Sequence, residues 1–313
     1  MAPRDSERRE IDLKLSTYQA RAKLTDNMER IAPHAWMTIP FLGLVGEAGE
    51  LLTEYKKALR DPHYKLERHR VAEELGDALW YLATIANRYD LSLESIAREN
   101  LTKLKARYQR TKQLPLLGDG VDEEERFPAR LTLEFRPLRA KNGQARVGIF
   151  NGTKRVGDRL TDNAYYDDGY RFHDVFHLGH AVFLRWSPVT RKLLGLKRKS
   201  VAVTDEVEDG GRAAVLEEAI VATTYAHALD SGYFEHRAEV DYALLKMIKH
   251  LTRHLEVRDR TPADWEHAIM KSYDVWRALR RAGRGRVHLD FERQSMRFEA
   301  PKEGRGSSRA VRR

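Results

Sequence analysis

The chain has 313 residues, with 56 basic and 47 acidic side chains, a net charge of +9 and no cysteine. Its length suffices for two ordinary domains and a sizeable core; without cysteine there are no disulfides or thiolate sites, so any metal must be held by oxygen or imidazole. No run approaches the roughly 18 apolar residues of a membrane span, and the start MAPRDSERREIDLK lacks an apolar signal-peptide core. The expectation is a cytoplasmic protein with no membrane partner, whose basic balance favours anions, nucleotides as well as nucleic acid.

Residues 1–10 are expected to be disordered, and a first helix is predicted from about Ile11 to Ile31 through Leu15, Tyr18, Ala22 and Met28. Pro33 and Pro40 break the chain before the next helix. There Phe41, Leu44, Val45, Ala48, Leu51, Leu52, Tyr55 and Leu59 recur at steps of three and four, the stripe of a half-buried helix, with Glu47 and Glu50 beside it. After a loop from Arg60 to Glu67, Val71, Leu75, Ala78, Leu79, Leu82 and Ile85 form a second stripe, flanked by Glu74 and Asp77. Residues three apart share a helix face, so each acid pair points one way, and two packed helices bring four carboxylates together. Desolvated beside a core seam, they repel one another unless cations lie between them, and hard oxygen ligands suit Mg2+ or Mn2+. A further helix, from Ser92 as N-cap to about Gln109, carries Asn100, Lys103 and Arg107 on one face, a basic and amide-bearing row suited to an anion. Lys56 and Lys57 are secondary phosphate candidates; Trp80 and Tyr81 can stack on a base, although at least one is expected in the core.

The words GLVGEAGELLTEYKK, EELGDALWYL and ENLTKLKARY occur in order, and with them this segment resembles the MazG-like all-alpha nucleoside triphosphate pyrophosphohydrolases over roughly residues 15–110. The family pattern E-x-x-E then E-x-x-D reads here as Glu47, Glu50, Glu74 and Asp77; Tyr18-Gln19 resembles its opening helix, and Asn100 with Lys103 its Asn-x-x-Lys word. The resemblance implies a Mg-dependent attack on the alpha phosphorus of a nucleoside triphosphate, releasing the monophosphate and pyrophosphate. Metal ligands would be Glu47, Glu50, Glu74 and Asp77, with Glu50 the expected base and Glu47 its catalytic neighbour; a homodimer or higher homo-oligomer is implied.

From Thr111 to Arg130 the sequence TKQLPLLGDGVDEEERFPAR reads as a linker. Leu131, Leu133 and Phe135, then Asn142-Gly143, then Val147 and Ile149 predict a hairpin, followed by a polar loop with Tyr165 and Tyr166. Helical patterns occupy about 170–186, 212–231, 237–256 and 262–282, and Val287 to Phe298 suggest two closing strands. The predicted class is therefore mainly α: an all-α bundle of four or five helices over 11–112, a linker over 113–128, a helix-rich α+β domain over 129–300 and a basic disordered tail over 301–313.

That second domain has its own cluster. His173, His177 and His180 share one helix face beside Asp174, a spacing that lets two imidazoles reach one metal, and Glu217 and Glu218 can complete a second, transition-metal site, with His227 further along. Arg191-Lys192 and Lys197-Arg198-Lys199 are candidate phosphate contacts or solvated loops. Three readings compete: a triphosphate pyrophosphohydrolase whose C-terminal domain regulates it or adds a second metal-dependent hydrolase; a nucleic-acid binder using the bundle as a dimerisation scaffold, the less favoured; and a metallohydrolase centred on the histidines.

Overall fold

In a computed structural model the described residues are 13–31, 34–111, 121–139 and 144–301. The expected disordered start, the basic tail and the Asn142-Gly143 turn lie outside them, Pro301 apart. The chain divides into two units, Met1–Lys105 and Ala106–Arg313. Mainly helical, it combines an N-terminal bundle with a C-terminal region of helices and a small antiparallel sheet. No described helix is long and apolar enough to cross a membrane.

The first unit contains α1 (Leu15–Thr25), α2 (Met28–Ile31), α3 (Ile39–Arg60), α4 (Arg68–Arg88) and most of α5 (Leu93–Tyr108). The predicted first helix is interrupted at Asp26-Asn27, where the Asp26 carboxylate leaves the helix to pair with Arg88 at 2.8 Å. Pro40 starts α3 because a first-turn proline forfeits no helical hydrogen bond. α4 packs on both α3 and α1. Gln19 ties the corner: its Nε2 donates to Asn87 Oδ1 and the Leu91 carbonyl, and its Oε1 accepts from the Leu93 N–H, the first amide of α5. Ser92 Oγ accepts from Ser95 N at 3.3 Å, the expected cap.

The core of this unit is small: Ala22, Ala83, Ala86 and Leu93, with Tyr18 and Trp80 against them. Much of the expected half-buried stripe of α3 is instead exposed. Phe41, Val45, Leu52, Tyr55 and Leu59 form an open apolar row, Leu59 at 72 % exposure, because α4 covers only the neighbouring face.

The second unit is built on a sheet in the order β3-β2-β1-β4-β5, from β1 (Arg130–Leu138), β2 (Arg146–Asn151), β3 (Lys154–Leu160), β4 (Gly285–Asp290) and β5 (Ser295–Glu299), with antiparallel neighbours throughout. Alternate residues Leu133 and Phe135, Val147 and Ile149, Val287 and Leu289 turn inward. Helices follow as α6 (Asp174–Gly179), a π-helical segment (His180–Leu184), α7 (Pro188–Leu194), α8 (Ala202–Val207), α9 (Gly211–Asp230), α10 (Tyr242–Leu251) and α11 (Pro262–Ala282). α11 packs against α6, β5 and α10, and Trp186, Trp265 and Trp276 are wholly buried.

Several expectations change here. The polar stretch after the hairpin begins with β3, an edge strand whose sequence KRVGDRL sends only Val156 and Leu160 to the core. Its turn was legible: Asn151-Gly152 precedes it, and Gly152 has φ +61°. The helix expected over 170–186 is a 3-10 turn, α6 and the π segment, stopped by Arg185 in the left-handed region. α7 was unforeseen although Ser187 caps it through Thr190 N, Pro188 opens it and Gly195 closes it. Residues from Val121 onward in the expected linker are folded: Val121 is buried, and the Glu125 carbonyl accepts from Arg191 while its carboxylate accepts from Ser200 N.

Candidate functional site

The acidic site joins α3 to α4. Glu47, Glu50 and Glu74 bring one oxygen each to within 4.8 Å of one another. Glu74 is half-buried beside Glu47, and burial, a hydrogen bond with Glu47 and the charge of Glu50 push its carboxyl up. Glu47 and Glu73 add to the charge of Glu50 in the same direction. Asp77 lies outside this trio; exposed one turn further along α4, it raises the pKa of Tyr18, for which burial is the larger cause.

The flanking candidates separate. Asn100 and Lys103 are exposed on α5. Arg107, at the end of that helix, is buried in the second unit, where its Nη1 donates to Glu266 at 2.8 Å and its Nη2 to the Val240 carbonyl, while Asn100 and Lys103 belong to the first. Lys57 is paired with Glu54 at 2.5 Å. Glu54 also accepts from the Tyr64 hydroxyl and lies 3.7 Å from Arg70, which pins the end of α3 to the following loop and holds its carboxyl below the usual range, chiefly through Lys57 and Tyr64. Nothing in the spacing of acids singled out Glu54, which is one turn beyond Glu50. Trp80 donates to Thr25 Oγ1 at 2.7 Å, and Tyr81 packs where a Cβ on Gly43 would lie 2.2 Å from its ring.

The histidine cluster is assembled by α6, the π segment and α9. Glu217 is wholly buried: Oε1 faces His180 Nδ1 at 3.0 Å and His177 Nδ1 at 3.1 Å, while Oε2 accepts from Ser187 Oγ and Val189 N, both at 3.0 Å. Ser187, unremarked in the sequence, comes with the cap of α7. On the outer side His177 Nε2 is 3.3 Å from Glu218 Oε2. Burial alone would raise Glu217 and lower His177; the charges facing each other outweigh it, holding Glu217 at about 2 and His177 at about 10. His173 Nδ1 faces the Tyr170 carbonyl at 2.9 Å, the two rings stack at 4.5 Å, and Asp174 is 3.6 Å from His173 Nε2. His227, by contrast, packs against Phe234. Of the basic loop residues, Arg198 and Arg191 are buried, Arg198 on Asp209 and Glu256, and Lys197 pairs with Asp205; the described contacts of these three are structural.

Two family models match the chain, MazG nucleotide pyrophosphohydrolase domain over residues 40–111 and MazG C-terminal domain over residues 112–302, the second covering more than half of it. The chain belongs to the MazG family. All four acids lie in the MazG nucleotide pyrophosphohydrolase domain, a hydrolase module, and the histidine cluster lies in the MazG C-terminal domain. The Gene 37 protein of Mycobacterium phage L5 is 43% identical over 72 residues, 22% of this chain and 63% of the phage protein, so the match spans less than two thirds of that relative. No solved structure matches the chain.

Proposed function

We propose that this MazG-family chain hydrolyses nucleoside triphosphates to monophosphates and pyrophosphate with Mg2+ or Mn2+. The observation that carries the reading is the convergence of Glu47, Glu50 and Glu74 from two helices inside the pyrophosphohydrolase domain. Three acids this close, with Glu74 pushed up by burial and then by its acidic neighbours, fit a hard divalent cation, which would offset their mutual repulsion. Glu47, Glu50 and Glu74 would hold it, with Asp77 at the edge. When bound, such an ion neutralises phosphate oxygens and acidifies a water.

The residues supply the rest. Glu50, the exposed member, accepts the proton of the attacking water. The water oxygen bonds to the alpha phosphorus as the bond to the departing pyrophosphate breaks. Asn100 and Lys103, exposed on α5, are the side chains proposed to meet the phosphates. The open row Phe41, Val45, Leu52, Tyr55 and Leu59 supports pairing of two copies, since an apolar strip of this length is costly in water.

The test is pyrophosphate release from a panel of canonical and modified triphosphates with Mg2+, repeated after chelation. Glu50→Gln and Asp77→Asn are expected to lower kcat at least 100-fold and about 10-fold. If Glu50→Gln keeps wild-type turnover on every substrate the wild type hydrolyses, or if the wild type hydrolyses none, the reading fails.

A further inference from the structure

The histidine cluster contains two overlapping sets of donors, His177 with His180 and Glu217 on the inside, and His177 with His173 and Glu218 toward solvent; within each set the ligand atoms lie within 4.8 Å of one another. The inner set has little to offer an ion. Both oxygens of Glu217 already face donors, and the residue is wholly buried. The outer set differs. His173 Nδ1 faces the Tyr170 carbonyl, which as an acceptor fixes the tautomer with the proton there and leaves the Nε2 lone pair free. His177, 1 % exposed, has no directed hydrogen bond at either ring nitrogen among the described residues, although carboxylates stand close on both sides. Its Nε2 therefore meets the Glu218 carboxylate across a gap of 3.3 Å rather than in a directed hydrogen bond. Glu218 is half-exposed and opens the set to solvent.

We propose that His173, His177 and Glu218 bind one divalent transition-metal ion, through the Nε2 atoms of both histidines and a Glu218 oxygen, with Glu217 positioning the His177 ring from behind. Two imidazoles and one carboxylate make the ligand set of zinc and non-haem iron sites that keep positions open for water or substrate. A tetrahedral ion with bonds of about 2.0–2.1 Å separates its ligand atoms by roughly 3.3 Å, and His177 Nε2 and Glu218 Oε2 are already 3.3 Å apart. Glu217 then acts as the carboxylate behind a metal-bound histidine, holding Nδ1 as the proton-bearing side and Nε2 as the ligand. The soft, imidazole-bearing set selects a different metal from the all-carboxylate site of the first unit.

The experiment uses the full chain, free of any histidine tag and stripped of metal, titrated calorimetrically with Zn2+ while millimolar Mg2+ is present throughout to occupy carboxylate-only sites. The expected result is one tight equivalent of zinc. His173→Ala and Glu218→Gln, both on the solvent side, should weaken it at least 100-fold with unchanged circular dichroism, and Glu217→Gln about 10- to 100-fold. With Co2+ as probe, visible absorption of an imidazole-ligated ion should appear in the wild type and vanish in His173→Ala. Absence of a tight zinc equivalent in the wild type, or equal zinc affinity in the wild type and His173→Ala, overturns the assignment. So does loss of zinc in His180→Asn with His173→Ala unaffected, which would move the ion to the inner set.

Discussion

Arg198 stands at the foot of the helix that carries Glu217 and Glu218, and its replacement by methionine tests how that helix is held. Its guanidinium is 1 % exposed and forked onto two carboxylates: Nε and Nη2 to Asp209 at 3.0 and 2.7 Å, Nη1 and Nη2 to Glu256 at 2.9 and 2.7 Å. Asp209 lies two residues before α9 and is itself buried. Arg198→Met fills most of the volume but leaves Asp209, among the described residues, with only the distant Nε of Arg191, at 3.7 Å, as a side-chain counter-ion. Breaking a buried pair in this way costs about 3–5 kcal/mol. Glu256 is partly exposed and can rehydrate, which argues for the lower end, about 3 kcal/mol. At about 2–4 °C per kcal/mol for a unit of this size, the melting temperature should fall by roughly 6–12 °C. Near-ultraviolet circular dichroism reports this unit through buried Trp186, Trp265 and Trp276. A double-mutant cycle with Asp209→Asn should show a coupling above about 1 kcal/mol. A loss below about 1 kcal/mol, the range of exposed pairs, together with additive single variants, would refute the reasoning.

Two further outcomes are expected. Burial first, then the charges of Arg110 and Lys271, press His267 down to about 4 from its ordinary 6.5. Below pH 6.5 the unfolded chain takes up that proton while the folded one resists, so stability falls with pH toward 4; urea denaturation of His267→Gln should show a shallower decline over that window, and an identical slope would count against the shift. Gly43→Ala places a Cβ 2.2 Å from the Tyr81 ring, whereas Gly49 has open space. Thermal unfolding should therefore show Gly43→Ala losing about 1–3 kcal/mol and Gly49→Ala gaining up to about 1 kcal/mol; equal effects would mean Tyr81 is not clamped there.

Within the first unit the acid pairs could be read before any coordinates, because helical spacing is a local property and two amphipathic seams a few residues apart have few ways to pack. The same holds for the inward rows of β1, β2 and β4 and for the cap of α5, which depend on neighbours in sequence. Spacing alone, however, treated Asp77 as the equal of Glu74 and Arg107 as part of a phosphate row. The fold separated them: Asp77 falls outside the trio of Glu47, Glu50 and Glu74, and Glu266, which is 159 residues away in sequence, accepts from the Arg107 guanidinium.

Which histidine nitrogen faces which carboxylate was likewise beyond one-dimensional reading, since α9 and α6 are brought together only by the core of the second unit. By itself, then, the sequence determined the acid-bearing helices and put forward the acids and histidines that the fold brings together. Only the tertiary structure decided that Glu217 is spent on Ser187, Val189 and His180 while Glu218 stays open. Hydrogen-bond and charge partners are chosen by distance in space, which residue spacing controls within a helix and not between helices.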